Sequence, residues 1–190
     1  MAAYSDAIQC YPNTRVFEGR TSPEGPKRHP FEGAPINLTG GNLWSCNMAV
    51  SSNLFREIGG FNEAFPYAAM EDMDFRERLN QFGVGYEFVP KAEIIHPWRM
   101  LDVKRHTRLH VASQLIYARL HPGQRHVVSL WRLCKLTARY YMREFPQELR
   151  AFGLLALRCQ PIRWWEILYR GWHFSVNPKP TDLLDGKDES

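Results

Sequence analysis

Apolar positions recur along the chain with two different habits, and the change falls near residue 100. Before it, short apolar runs alternate with turn residues. INLTGGNLWSCNMAVSS, from Ile36 to Ser52, reads as two short strands around a Gly40-Gly41 turn. NLFREIGGF follows as a short helix, with Ser51, Ser52 or Asn53 as its cap and Gly59-Gly60 as its stop. In YAAMEDMDFRERL, Glu71, Asp72 and Asp74 stand where the next helix begins. Phe75, Leu79 and Phe82, at i, i+4 and i+7, predict its apolar face, and Gly83 its end. VGYEFV and AEIIHP predict strands on either side of Pro90. Residues 36–97 are thus expected to run strand, strand, helix, helix, strand, strand.

Beyond residue 100 the period becomes helical. Three runs, separated at Pro122-Gly123, Pro146 and Pro161, predict three helices. In the last, Ile162, Trp165, Leu168 or Tyr169, and Trp172 are expected to share one face. Residues 11–35, dense in proline and glycine, predict an irregular segment, and the polar stretch 177–190 a flexible tail. The expected organisation is an α/β region over 1–100 and an α-helical appendage over 101–176.

Composition narrows the class. A 190-residue chain that is 44% hydrophobic suits one domain with an appendage, and its 13% aromatic share needs a core or an amphipathic surface to cover. Net charge is +4 without a dense basic stripe or a nucleic-acid-binding motif, so no nucleic-acid partner is expected. Cys10, Cys46, Cys134 and Cys159 are far apart, as in the reduced thiols of a cytoplasmic protein. The first residues carry no signal-peptide pattern, so Asn37-Leu38-Thr39 is not expected to be glycosylated.

The candidate chemistry centres on Glu71 and Asp72. Acids in a first helical turn complement the macrodipole by about 0.3–1 kcal/mol each, which accounts easily for one carboxylate. Three together draw attention because a Gly-Gly-Asn turn lies upstream, a Pro-containing aromatic loop immediately precedes them, and His96 closes a strand downstream. A carboxylate pair and a histidine bracketing a strand suit a general-base or metal-assisted site.

The stretch GGNLWSCNMAVSSNLFREIGGFNEAFPYAAMEDMDFRERLNQFGVGYEFVPKAEIIHP, residues 40–97, resembles the C-terminal half of family 2 glycosyltransferases, inverting nucleotide-sugar enzymes of the GT-A fold. It is also similar to the galactosyltransferase C-terminal module. The resemblance covers about a third of the chain and lies in the order and spacing of its motifs. It implies a partial GT-A, Rossmann-like sheet with flanking helices, and transfer of a sugar from a nucleotide-sugar donor to a saccharide or lipid-linked acceptor.

By the same resemblance Asp72 is the general base, and Glu71 contacts the acceptor or orients the base. Arg76 or Arg78 pairs with an acid or with donor phosphate. Gly40, Gly41 and Asn42 border the sugars, and His96 is a ligand to a divalent metal, Mn²⁺ or Mg²⁺. A helix N-terminus is expected to keep Asp72 ionised at neutral pH.

The chain departs from the family in one respect. No DxD motif precedes the Gly-Gly-Asn turn, Asp6 being the only aspartate before residue 62. A truncated or split enzyme completed by an N-terminal partner half or by self-association is therefore expected. The alternative is a non-catalytic binding module that has lost the donor site, and a weaker third reading is a metallohydrolase on Asp72, Asp74 and His96. Basic and aromatic residues mingle in RWWEILYRGWHF, which suits either packing onto the core or contact with the inner face of a membrane.

Overall fold

The computed structural model describes residues 2–177 and Leu183, and most of the expected flexible tail lies outside the described residues. The chain is mixed α/β, with a small three-stranded mixed sheet and a larger share of helix. It forms two compact units. One comprises Met1–Pro26, Gly33–Glu63 and Glu71–Arg99; the other comprises Lys27–Glu32, Ala64–Met70 and Met100–Ser190.

The sheet unit opens with α1 (Ala2–Cys10) and is organised around β1 (Val16–Pro23). This strand lies in the segment expected to be irregular. It is central in the order β3-β1-β4, antiparallel to β3 (Met48–Val50) and parallel to β4 (Glu87–His96). Val16, Phe17, Glu18 and Gly19 are all buried, as befits a strand covered on both faces, so the alternation that betrays a strand in sequence is missing. Two-residue strands, β2 (Glu32–Gly33) and β5 (Arg99–Met100), lie where the chain passes from one unit to the other.

Pro90 does not divide two strands. VGYEFV and AEIIHP contribute to the single strand β4, whose register against β1 jumps from Gly19↔Val89 to Arg20↔Glu93. The bulge takes up Pro90, which has no N–H to give a ladder. Asn47 seals it by donating from Nδ2 to the carbonyls of Ala92 at 2.9 Å and Arg20 at 2.7 Å. A Cβ at Gly19 would overlap both the Ala92 carbonyl and the Asn47 amide, so only glycine fits there. The strand expected over 36–39 is instead a turn, tied to β1 by one bridge, Thr21↔Asn37.

The two short helices form as their caps predict. In α2 (Ser52–Glu57), Ser51 Oγ accepts from Leu54 N–H, and Gly59 at φ +86° ends the element. α3 (Glu71–Gln81) turns Phe75 and Leu79 into the core, where they meet Val16, Leu43, Leu54 and Ile58. Phe55, Phe61 and Phe75 pack in a cluster with centroids 5.2–5.7 Å apart. Phe82, expected on that face, lies beyond the end of α3 and is exposed.

The helical unit begins with α4 (Val103–Leu120), capped by Asp102, whose Oδ1 accepts from Arg105 N–H. Val111, Ala112, Leu115 and Ala118 are its buried side. α5 (Leu130–Arg139) continues through a π turn at Tyr140–Glu144 into α6 (Phe145–Phe152), with Pro146 in the first turn. The wider turn accommodates a proline that would break an α ladder, which is why the expected break at Pro146 is absent. Gly153, at φ +57°, makes the real break, before α7 (Leu154–Arg158) and α8 (Gln160–Val176).

The helical unit contains a titration switch of predictable sign. Burial, then Arg170 and His106, push His110 down to about 4, and burial also lowers His106 and His173. The unfolded chain therefore binds protons that the fold refuses between about pH 6.5 and 4, and stability is lost as pH falls through that window. Thermal melts at pH 7.5 and 5.0 are expected to show a lower midpoint at pH 5.0, and His110→Gln a smaller drop. Glu71 and Asp72 titrate in the opposite sense, so the difference between wild type and variant is the quantity to read. Identical pH responses would exclude His110 as the cause.

Candidate active site

The Gly-Gly-Asn turn is held from beneath by Glu18, a residue with no role in the sequence-based expectation. Its buried carboxylate accepts from Leu43 N–H at 2.8 Å, from Asn37 Nδ2 at 2.9 Å, and from Gly41 N–H in a short contact. Asn37 Oδ1 in turn accepts from Gly40 N–H at 3.0 Å. This network holds Asn37 buried inside the unit. Gly40 and Gly41 take φ +84° and +97°; a Cβ on Gly40 would meet Glu18 and Phe88 at 2.9 Å, whereas one on Gly41 would meet nothing within 4 Å. The outer side of Gly41 is thus open to a ligand, which fits the reason for a glycine there. Asn42 is half-buried, with Nδ2 donating to Asn37 Oδ1 at 3.3 Å.

The acidic helix is tied to this turn and to the segment that follows it. Asp72 Oδ1 accepts from Ser45 N–H at 3.1 Å, and the Arg76 guanidinium donates to the Gly41 carbonyl. Ser45 also borders an open depression of about 410 Å³ lined by Met48, Val50, Ser52, Phe55 and Arg56. Burial raises the Asp72 carboxyl above its usual range, against the lowering effect of Ser45 and Arg76. Burial and the neighbouring Asp72 raise Glu71 as well. The expected lowering by the helix N-terminus is outweighed: desolvation is the larger effect. Glu71 Oε2 is buried and unpartnered, an orphan acceptor in a structure where such atoms are normally satisfied.

Two buried non-glycine residues take left-handed backbone just before the segments that carry the site. Leu43 has φ +50° and Met70 φ +74°, and both are buried. Such conformations cost about 1–3 kcal/mol each and gather at functional sites. Here they immediately precede the Trp44-Ser45 segment and the acid pair.

Other expected site residues have different surroundings. Arg78 donates to Asp74 Oδ2 through Nε at 2.9 Å and Nη2 at 2.7 Å, and to the carbonyls of Ile58 at 2.8 Å and Gly60 at 2.7 Å. It clamps α3 to the end of α2, and with Asp74 buried beneath it the pair is structural. Of the two partners expected for an arginine here, an acid or donor phosphate, Arg78 takes the acid, and Asp74 is engaged by it. His96 ends β4 opposite Pro23, with Nδ1 2.9 Å from the Pro97 carbonyl oxygen. Among the described residues no three His, Cys, Asp or Glu side chains are grouped to hold a metal, so these residues do not by themselves fit the divalent ion that the resemblance implies. The aromatic loop before the acids belongs to the helical unit from Ala64 to Met70, where Tyr67 meets His106 edge-on at 5.9 Å.

Sequence reasoning missed Glu18, Asn37 and Asn47 as organisers. The available signal was a glutamate and a glycine inside the run VFEGRTS, where an unpaired acid would be costly. All four cysteines are free thiols, with Cys159 buried and the other three exposed. Comparison with protein-family models, curated proteins and solved structures finds no match.

Proposed function

We propose that residues 40–97 are the acceptor-side half of a GT-A, inverting nucleotide-sugar glycosyltransferase, with Asp72 as the general base. The observation that carries this reading is Asp72 itself: a half-buried carboxylate anchored by Ser45 N–H, raised in proton affinity by desolvation, beside an open glycine turn. A base must gain affinity for the proton it removes, and burial shifts the Asp72 carboxyl in that direction.

In the proposed step the acceptor hydroxyl gives its proton to Asp72 as its oxygen bonds to the anomeric carbon from one face. The bond from that carbon to the departing diphosphate breaks on the other face, and the leaving oxygen keeps the electron pair. Glu71, adjacent to Asp72, contacts the acceptor or orients the base. Arg76 fixes the turn through Gly41. In this family a divalent ion, where present, supports the leaving diphosphate; its site is assigned to no residue here.

Isothermal titration of the chain with UDP- and GDP-sugars, with and without Mn²⁺, tests the reading. Saturable heat from at least one donor is the expected result. No heat from any donor favours a module that binds acceptor alone.

A further inference from the structure

Helix α8 is built inside out. Arg163, Glu166 and Arg170 face the interior of the helical unit and are consumed there: Arg170 donates to Glu166 at 3.1 Å and to Gln114 at 2.9 Å, and Arg163 to the Pro30 carbonyl at 3.0 Å. Its opposite side carries Trp164, Leu168, Trp172 and Val176 at a spacing of four, which is one stripe of a helix. Their exposures are 52%, 69%, 68% and 55%. A tryptophan or leucine spaced this way normally turns inward. No residue of α5, α6 or α8 is fully buried.

α5 repeats the arrangement. Trp131, 80% exposed, and Met142, 77% exposed, share an open groove of about 970 Å³ with Lys135, Arg139 and Arg143, and no carboxylate lines it. Arg139 has Glu144 at 3.5 Å. The two apolar strips approach where Trp164 stacks on Tyr141, the residue before Met142, at 5.6 Å.

Charge decides what covers these strips. Residues 101–177 hold thirteen Lys and Arg against four Asp and Glu, whereas residues 1–100 hold nine against twelve. Pairing two copies through this face would bring like charge together, while an anionic lipid surface complements it. Around α5 an exposed tryptophan, Trp131, lies among Lys135, Arg139 and Arg143, the composition of a surface lying in the headgroup layer with rings at the acyl boundary and cations among phosphates. No helix among the described residues is long and apolar enough to cross a membrane, so the geometry is that of lying on it.

We propose that the helical unit docks on an anionic phospholipid bilayer through the outward faces of α5 and α8. This stands independently of the chemistry assigned to Asp72. The test is co-sedimentation of the full chain with vesicles of phosphatidylcholine alone and of phosphatidylcholine with phosphatidylglycerol. Pelleting with the anionic vesicles, a blue shift of tryptophan emission, and release by high salt are expected. Each cation near the surface contributes about five-fold to partitioning, so Lys135→Glu with Arg143→Glu is expected to cut it by about 20-fold or more. Leu168→Ala with Trp172→Ala is expected to weaken pelleting and reduce the blue shift, Trp131 and Trp164 remaining on the same faces, and Lys91→Glu, in the sheet unit, to change little. Circular dichroism checks that each variant folds. No pelleting at low salt, equal pelleting by all variants, or a dimer in light scattering that the Leu168/Trp172 variant disperses would each overturn the proposal.

Discussion

Glu18→Ala is expected to lower the unfolding free energy by about 3–5 kcal/mol, because it strands several buried donors at once. The carboxylate takes hydrogen bonds from Gly41 N–H, Leu43 N–H and Asn37 Nδ2, all within the sheet unit. Truncation leaves each donor without its partner and opens a cavity beside Phe88 and Gly40. Glu18→Gln keeps the volume but turns an amide N–H₂ toward donors, so it is expected to recover only part of the loss. Urea denaturation measures both, with the midpoint falling at unchanged slope. Faster amide exchange at Gly41 and Leu43 in the weakened variants would locate the effect in the turn. A loss under about 1 kcal/mol for the alanine variant would show that the turn is held by its own backbone, and Glu18 would lose its organising role.

The same residue explains why part of the fold was legible in sequence and part was not. α2 and α3 could be read because their determinants are local: Ser51 caps three residues ahead, Gly59 and Gly83 take positive φ at the ends, and Phe75 and Leu79 repeat at helical spacing. β1 could not, since a strand buried on both faces has no alternation, and Glu18 looks polar until its donors, 19 to 25 residues away, are in place. Pro90 misled for the complementary reason. A proline ends a regular ladder, but a bulge sealed by a distant asparagine removes the conflict.

The candidate site divides along the same line. Asp72 and Arg76 lie on one helix, Arg76 reaching the glycine turn at Gly41 and Asp72 reaching Ser45 just beyond it. Arg78 was the ambiguous case. Its pairing with Asp74 at i, i+4 was visible in the sequence, but its two backbone carbonyls at Ile58 and Gly60 were not, and they commit the guanidinium to structure. The helical unit shows the limit of periodicity itself. The period located α8 correctly but could not say which side faces outward, because Arg163, Glu166 and Arg170 find partners within the unit.

In the enzyme completed by its donor-side half, Asp72→Asn is expected to reduce transfer by about a hundred- to ten-thousand-fold, the span that a positioned general base contributes. Asparagine has the same shape, and its Oδ1 can still accept from Ser45 N–H, so the turn and helix should keep their places. Burial already disfavours the charged form of this carboxyl, which makes a neutral replacement benign for folding. The melting temperature is expected to hold or rise slightly while turnover collapses and donor affinity stays near wild type. The wild-type rate should climb with pH through an inflection above the ordinary aspartate range, and the variant should lack that limb. Glu71→Gln separates the neighbours: loss of acceptor affinity with the inflection retained is the outcome for a binding role. Unchanged turnover in Asp72→Asn would remove Asp72 from the base role, whatever the donor titrations show.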